Sequence, residues 1–471
     1  MLKLKFESFL KAYRNSLEPY KAEWIILFSM IGIMFFSHLY WDIVITTRHG
    51  INVWTSLFEG HLNNFYFDNT QPQITNYATS CAIYPFPVYI AFAIWNFPLW
   101  VMEHVFHKDP FTSTVALMYA KCILLPFLLG SAYLVKKICI QLSISVHHAK
   151  WCAFYFLSSN LVFFAVVVTG QYDIFSVFFI LLGFYYYVKN DVQKFLLFFA
   201  IAFSFKLFAV FIFIPLLLLK EKRIFRILLY CIASLSIYCI SSMIFPMPAG
   251  SSAIAINMIG RLFSQVLPLT FISTPIFVIA TVCLWLFCYI KNPDEDNNRM
   301  ALYVSFLAMA ILFVCCYTNL YWIILLSPFV CMLCFTNQKY LKINMLIETL
   351  LCGTVIFSLD IAGSPVFSLY TTNNTFLSKI FGNIPYDKYD KYFGSILKDI
   401  IKNETVLSYL APSCTAAFVA GLVVFSILNF RKEQSEQEVA VDRNLILSRL
   451  LINAFICGLP LILFLYYKFS S

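Results

Sequence analysis

Residues 41–87 read WDIVITTRHGINVWTSLFEGHLNNFYFDNTQPQITNYATSCAIYPFP, a polar stretch within a chain that is otherwise strongly apolar. It follows residues 24–41, an apolar run that is long enough to span a membrane. The stretch keeps too many large apolar side chains to be disordered. Five of them recur at helical spacing between Gly50 and Leu62, namely Ile51, Trp54, Leu57, Phe58 and Leu62. This pattern predicts a helix lying in the membrane interface.

Composition decides the class of protein. Of 471 residues, 61% are hydrophobic and 12% are charged, whereas soluble domains carry about 25% charged residues. We therefore predict an all-α polytopic membrane protein. The net charge of +9 is explained by orientation, because Lys and Arg gather in loops on one side, and no nucleic-acid partner is predicted. The 15 cysteines are scattered and mostly lie in apolar runs, which argues against a disulfide framework.

Hydropathy and the distribution of Lys and Arg predict about thirteen transmembrane helices. The predicted spans are 24–41, 112–135, 151–168, 174–188, two short helices within 195–219, 227–245, 276–290, 300–317, 321–335, 341–359, 412–430 and 450–467. The segment 195–219 is divided because Lys206 lies at its centre. Residues 84–106 contain Pro85, Pro87 and Pro98 and are interpreted as a re-entrant or interfacial helix in the first outer loop. Residues 431–449 are predicted to form a charged inner loop.

This topology divides the chain into three parts. Residues 1–23 form a cytoplasmic N-terminal lead. Residues 24–245 form a transmembrane module with a large outer loop, 42–110. Residues 246–471 form a variable C-terminal transmembrane module with outer loops at 246–275 and 360–411.

The candidate functional residues lie on the predicted outer face. Asp42 ends the first span; it is either an interfacial carboxylate that caps this span or a catalytic base. Gly170 permits a tight turn that lets Gln171 and Asp173 point into a cleft. Charged groups at such positions are functional hypotheses by default, since each is costly in hydrocarbon. Lys206 and Lys121 either pair with a buried carboxylate or carbonyl or bind a lipid phosphate.

At these residues the chain resembles the C-type membrane glycosyltransferases (GT-C fold), in particular the mannosyltransferase-like branch that uses polyprenyl-phosphate sugars. The resemblance covers residues 24–222 well and thins out towards Pro328. It is carried by Asp42, Gly50, Leu57, Glu59-Gly60, Tyr66, Tyr84-Pro85-Phe86-Pro87, Gly170-Gln171-Tyr172-Asp173, Phe205-Lys206-Leu207-Phe208, Ile214-Pro215-Leu216-Leu217, Tyr321-Trp322 and Ser327-Pro328. Two departures are the single aspartate after the first span and Phe86 in place of a second proline.

The resemblance implies an inverting transfer of a sugar from a polyprenyl-phosphate carrier to a glycan or lipid-linked acceptor. Asp42 is the implied general base. The implied substrate-binding residues are His49, Glu59, Tyr84, Gln171, Asp173, Tyr321 and Trp322. The implied lipid-phosphate ligands are Lys206, Arg261 and Lys121. No cofactor is predicted, and the use of a divalent metal stays an open question because the family's paired aspartates are missing.

Two other classes of function remain as alternatives. One is a transporter or flippase of lipid-linked sugars, which needs charges along a path through the membrane. The other is a non-catalytic membrane biogenesis protein, in which Asp42 is dispensable. We place the protein in the plasma membrane of a bacterium, with the active site on the non-cytoplasmic face and the endoplasmic reticulum as the alternative location. The sequence does not name the sugar, the acceptor, the linkage or the oligomeric state.

Overall fold

The computed structural model describes residues 16–69, 81–269, 272–292, 297–402, 404–430 and 439–469. The helices are α1 Lys21–Ser37, α2 Trp41–Phe58, α3 Phe65–Asp68, α4 Phe86–His104, α5 Thr114–Lys121, α6 Leu124–Gln141, α7 Val146–Leu157, α8 Asn160–Val162, α9 Asp173–Val188, α10 Val192–Phe205, α11 Val210–Lys220, α12 Ile224–Ile244, α13 Ala249–Gly260, α14 Ile276–Ile290, α15 Asn297–Cys315, α16 Ser327–Thr336, α17 Leu341–Ile361, α18 Phe376–Phe381, α19 Phe393–Ile401, α20 Glu404–Phe430, α21 Arg443–Ile456 and α22 Leu459–Phe469. A two-stranded antiparallel hairpin pairs β1 Val266–Leu269 with β2 Ile272–Pro275. The predicted all-α class is confirmed, and the small hairpin is an addition that the sequence analysis did not foresee.

Within the described residues, seven helices are long and apolar enough to cross a membrane, or up to nine if each of two bent pairs is one span. Five further predicted spans coincide with apolar helices that are shorter, at 10–17 residues, than the roughly 20 residues a crossing usually needs. The chain is therefore a helical membrane protein. The count of thirteen spans stays a prediction.

The centre of the bundle is the segment Val146–Val168, which is buried along the whole of its apolar window. It begins at Ser145, whose hydroxyl accepts a hydrogen bond from the His148 backbone nitrogen at 3.2 Å. It is made of α7, α8 and a π-helical stretch, Phe163–Val168. A helix that is apolar on every face belongs in the interior, and this one carries Gln171 and Asp173 at its end.

The long polar stretch after the first helix begins with α2, which pairs with α4 at the far end of the stretch. The helix predicted between Gly50 and Leu62 is present, but it runs from Trp41 to Phe58, and its location in the membrane interface stays a prediction. It packs along α4, where Gly50 touches the backbone of Phe92 so closely that a Cβ at this position would lie 2.8 Å from the Phe92 Cβ. Trp54 donates a hydrogen bond to the Ala93 carbonyl at 2.7 Å. The helix α4 is continuous through Pro98 and passes the length and hydropathy criteria for a span, so the interfacial or re-entrant interpretation of 84–106 stays a prediction.

Segments predicted to be cytoplasmic meet at one end of the bundle. Glu18 bonds to Lys150 at 2.6 Å, His148 bonds to the Val439 carbonyl at 2.8 Å, and Lys342 pairs with Asp442 at 2.9 Å. Lys150, followed by His147, holds the pKa of Glu18 below its ordinary value. The contacts bring the N-terminal lead and three predicted inner loops together, as the alternation of spans requires.

A topology experiment checks which end faces the cytoplasm. Single cysteines at Tyr386 and Gln141, in a variant from which the native cysteines have been removed, are expected to react differently with a membrane-impermeant maleimide added to intact cells. Tyr386 should be labelled because it lies in the predicted outer loop 360–411. Labelling of the cysteine at position 141 from outside would contradict the predicted orientation.

Candidate functional site

Asp42 is positioned by the junction between the first two helices. The helix α1 ends at Ser37, His38 has an extended backbone, and α2 begins at Trp41 after a bend of 70°. Asp42 therefore lies in the first turn of α2, where the helix dipole favours a carboxylate. The expectation that Asp42 caps the end of the first span is wrong, because the chain leaves the helical conformation four residues earlier.

Gln171 holds the Asp42 carboxylate. Its side-chain amide donates a hydrogen bond to Asp42 Oδ2 at 2.7 Å. The preceding Gly170 has a φ of +69°, a left-handed conformation that glycine adopts without a steric penalty. The predicted tight turn is therefore present, and it aims the buried amide of Gln171 from the end of the central segment at α2.

A buried ion pair lies beside this carboxylate. Lys206 Nζ is 2.7 Å from Asp173 Oδ1, and both side chains are almost fully buried. Lys206 interrupts the apolar segment 192–220 with an extended backbone (φ −151°), so that α10 ends before it and a short helical turn follows. The predicted division of this segment into two helices at Lys206 is confirmed. Asp173 lies in the first turn of α9.

Aromatic rings surround the ammonium group of Lys206. Its Nζ lies 4.3 Å from the Trp322 ring centroid and 5.9 Å from that of Tyr84. Both distances are within the range of cation–π attraction. These rings exclude water from one side of the ion pair, and so strengthen its electrostatic interactions.

A series of polar side chains leads from Asp42 to Arg261. Tyr321 is close enough to the Asp42 carboxylate to influence its charge. The Asn319 amide donates to the Tyr321 hydroxyl oxygen at 3.0 Å. Arg261 in turn donates to the Asn319 side-chain oxygen at 2.7 Å. Asn319 and Tyr321, which are close together in the sequence, thus lie between the partly exposed cation of the distant Arg261 and the carboxylate of Asp42.

Asn319 was not among the residues predicted from the sequence. The only signal was the polar pair Thr318-Asn319 between two apolar runs, directly before Tyr321-Trp322. A break of this kind is also expected of an ordinary turn between helices. The contact with Arg261, 58 residues away, appears only in the tertiary structure.

Tyr84, just before α4, packs against the site. Its ring packs edge-on against Tyr172 at 5.1 Å between centroids, and its backbone nitrogen donates to the Tyr89 hydroxyl at 3.0 Å. Burial raises the pKa of Tyr84 far above its ordinary value, and the negative charge of Asp42 and Asp173 adds to this effect. The phenol therefore stays neutral and keeps its proton for hydrogen bonding.

Two of the predicted substrate-binding residues lie further along α2 than Asp42 or beyond its end. His49 is buried on α2, with its ring 5.4 Å from that of Tyr89. Glu59 follows the other end of α2, about 25 Å from Asp42 at 1.5 Å per residue, and bonds to His61 at 2.7 Å. Glu59, together with Asp68, raises the pKa of His61. Glu59 therefore lies too far from Asp42 to contact it, because the helix α2 separates the two residues.

Lys121 has a structural position. It is fully buried, and its ammonium group donates to the carbonyls of Phe35, His38 and Val167, each at 2.8 Å. A lysine has three N–H donors, so these carbonyls satisfy all of them. Lys121 is therefore not retained as a phosphate ligand. It ties the α1–α2 junction to the end of the central segment and so positions Asp42 opposite Gln171.

The site thus brings together a half-buried carboxylate, two neutral hydrogen-bond donors, a buried ion pair and aromatic walls. Its members are Asp42, Tyr84, Gln171, Asp173, Lys206, Tyr321 and Trp322, with Asn319 and Arg261 at its edge. Comparison with protein-family models finds no family that matches the chain, and comparison with curated proteins finds no match either.

Proposed function

We propose that this protein is a C-type membrane glycosyltransferase, which transfers a sugar from a polyprenyl-phosphate carrier to a glycan or lipid-linked acceptor with inversion at the anomeric carbon. The observation that carries the proposal is the environment of Asp42. Its carboxylate accepts a hydrogen bond from Gln171 at 2.7 Å and lies near Tyr321, and the residue as a whole is half-buried. A carboxylate that a neutral donor fixes, without a cation paired directly to it, is suited to accept a proton.

In the proposed reaction, Asp42 removes the proton of an acceptor hydroxyl as the acceptor oxygen attacks the anomeric carbon. The bond between this carbon and the phosphate oxygen breaks, and the electron pair leaves with the polyprenyl phosphate. Base catalysis of this kind contributes about 10²–10⁴-fold to a rate. Attack from the face opposite the leaving phosphate inverts the anomeric configuration.

The leaving phosphate needs positive charge, and we assign this role to two cations of the site. Lys206 pairs with Asp173 at 2.7 Å, which leaves further N–H donors of its ammonium group for a phosphate oxygen. Arg261 is partly exposed and is held by Asn319. Gln171, Asp173, Tyr84, Tyr321 and Trp322 would bind sugar hydroxyls and ring faces. His49, two turns further along α2 than Asp42, and Glu59, beyond the end of α2, are left out of the proposal.

The alternative function is a transporter of lipid-linked sugars. A transporter needs charges along a path through the membrane, so the other buried charges of the bundle bear on this alternative. Arg449 and Glu348 form a second ion pair inside the bundle, with side-chain exposures of 0% and 1%. However, hydrogen bonds from Tyr155, Ser159 and Arg449 occupy the Glu348 carboxylate. A fully buried, fully bonded pair is a poor step in a path for a polar substrate, which favours the enzyme over the transporter.

We propose the non-cytoplasmic face of a bacterial plasma membrane as the place of the reaction. The support is the position of the site at the end of the bundle opposite to Glu18, Lys150 and Asp442. Membrane lipid, the polyprenyl-phosphate sugar and the acceptor are the proposed partners.

Donor binding is tested with the full-length protein in proteoliposomes and radiolabelled polyprenyl-phosphate mannose or glucose. Lys206→Ala and Arg261→Ala are each expected to raise the KM for the donor about tenfold or more, because a hydrogen bond to a charged group contributes about 1.5–3 kcal/mol. Release of polyprenyl phosphate is the measured quantity. Normal donor use by both variants would place the phosphate site elsewhere.

A matched control is Lys379→Ala, which removes an exposed lysine from helix α18. This substitution changes the net charge by the same amount as Lys206→Ala or Arg261→Ala does. It does not change the charge near Asp42. We expect it to leave the KM for the donor unchanged, so that an effect of the Lys206 and Arg261 variants reports on local contacts and not on overall charge.

A further inference from the structure

A row of aromatic rings runs outward from the neighbour of Asp42. The ring centroids of Tyr40 and Trp41 lie 4.6 Å apart, those of Trp41 and Tyr370 6.2 Å, those of Tyr370 and Tyr389 6.3 Å, and those of Tyr389 and Tyr386 5.2 Å. All four distances are within or close to the 4.5–7 Å range of direct ring contacts. We call Tyr40, Trp41, Tyr370, Tyr389 and Tyr386 the aromatic row.

Exposure increases along the aromatic row. Tyr40 is buried, Trp41, Tyr370 and Tyr389 are half-buried, and Tyr386 is 86% exposed. The row therefore connects the site around Asp42 to the open surface. It is not a patch on the side of one helix, because its members come from the residue before α2, from the first residue of α2 and from two separate turns of the segment 365–392.

The segment that carries the outer rings is held in place. The Leu39 backbone nitrogen donates to the Thr371 carbonyl at 2.7 Å, and that of Tyr370 donates to the Tyr389 carbonyl at 2.9 Å. Tyr386 stands in a short helical turn, Tyr386–Lys388, that follows the buried Ile384. The rings are thus presented in a fixed order before any ligand arrives, which lowers the entropic cost of binding one.

We propose that the aromatic row is a binding site for an extended oligosaccharide acceptor. A hexose ring has an apolar face of C–H bonds and an edge of hydroxyl groups. Aromatic rings bind the face, while tyrosine hydroxyls and the neighbouring Asp387, Lys388 and Asp390 can bind the edge. The steps between rings are comparable in length to one sugar unit, so successive units would meet successive rings. The inference deepens the proposed function, since it names the acceptor as a glycan chain that approaches Asp42 along this row.

Interfacial anchoring is the other reason for tyrosine and tryptophan at a membrane rim. An anchor acts through contact with lipid and is indifferent to soluble saccharides. An acceptor site predicts binding of free oligosaccharides that depends on their length. Binding of free oligosaccharides therefore distinguishes the two interpretations. It can be measured without a sugar donor and without catalysis.

The test uses the full-length protein in nanodiscs and linear oligomers of mannose, glucose and N-acetylglucosamine, from disaccharides to hexasaccharides. We expect the wild-type protein to bind the hexasaccharide of at least one of these three sugars. Tyr386→Ala should raise the Kd of that hexasaccharide about fivefold. It should leave the Kd of the corresponding disaccharide unchanged. Tyr386→Phe should retain most of the affinity, because the ring and not the hydroxyl supplies the apolar face. Tyr409→Ala is the matched control, since Tyr409 is also strongly exposed, at 68%, but stands on α20 and not in the row.

Failure of this inference is distinguishable from failure of the proposed function. If the wild-type protein binds none of the hexasaccharides, or if Tyr386→Ala and Tyr409→Ala weaken binding equally, the aromatic row is not an acceptor site. Release of polyprenyl phosphate that depends on Asp42 would still support the glycosyltransferase in that case. Conversely, length-dependent binding lost in Tyr386→Ala establishes the row even if no transfer is found.

Discussion

Replacement of Asp42 by asparagine is expected to lower the rate of sugar transfer by about two orders of magnitude or more, with donor binding close to normal. Asparagine preserves the volume of the side chain and accepts the hydrogen bond from Gln171 through its oxygen. It cannot take up the proton of the acceptor hydroxyl. The measurement is turnover of polyprenyl-phosphate sugar per molecule of folded protein, with the KM for the donor determined separately.

A purely structural role of Asp42 predicts a different result. Loss of its charge from the first turn of α2 would cost about 1 kcal/mol of stability through the helix dipole and one hydrogen bond. The yield of protein would then fall, while turnover per molecule would change little. A small change in turnover with normal donor binding would therefore contradict the role of Asp42 as base.

Two other outer carboxylates provide comparisons. Glu59→Gln should leave transfer unchanged, because Glu59 bonds to His61 and lies about 25 Å from Asp42 along α2. Asp173→Asn should impair the reaction through Lys206, its partner at 2.7 Å. If Asp173→Asn abolished transfer and Asp42→Asn did not, the base would have to be assigned to Asp173.

Replacement of Arg449 by methionine is expected to destabilise the protein by about 3–5 kcal/mol, because it leaves the Glu348 carboxylate without its cation in the core. Arg449 donates to both carboxylate oxygens of Glu348 and to the carbonyls of Ser158 and Tyr155. These contacts join α21 and α17 to the break between α7 and α8. This break lies in the central segment, which leads to Gln171. Thermal unfolding of the purified full-length protein in detergent is the measurement.

A double variant separates the pair from the packing. Arg449→Met with Glu348→Leu removes both charges, and should recover much of the lost stability, since apolar replacement of a whole buried pair is often neutral or favourable. Arg226→Met is the surface control, because Arg226 lies 3.6 Å from Glu221 and is 52% exposed; it should cost less than about 1 kcal/mol. A single Arg449→Met variant as stable as the wild type would show that the ion pair contributes little.

Local sequence patterns were enough for the class of protein and for the place of several turns. Hydropathy and the scarcity of charge predicted an all-α membrane protein, and the structure is helical with at least seven helices suited to cross a membrane within its described part. Lys206 in an apolar run predicted a break between two helices, and Gly170 predicted a tight turn. These features depend on neighbours in the chain, because a charge in a hydrocarbon-length run and a left-handed backbone are each costly in any fold.

The composition of the site was also predicted in large part. The structure brings Asp42, Tyr84, Gln171, Asp173, Lys206, Tyr321 and Trp322 together. These are polar or aromatic residues at predicted span ends, and a membrane restricts such groups to a few levels, so that they meet once the helices pack. Their roles in donor and acceptor binding remain proposals.

What only the tertiary structure decided is the pairing of charges across the chain. Residues 431–449 were predicted to be a charged inner loop, but α21 begins at Arg443 and Arg449 is fully buried against Glu348. Lys121 was a candidate for phosphate, but three carbonyls from distant segments satisfy it. Asn319 belongs to the edge of the site because its side-chain oxygen accepts a hydrogen bond from Arg261. A hydropathy scale gives each charged residue the free-energy cost of burying an isolated ion. A partner from a distant helix removes most of that cost. Only the packing of the helices decides which partner is near.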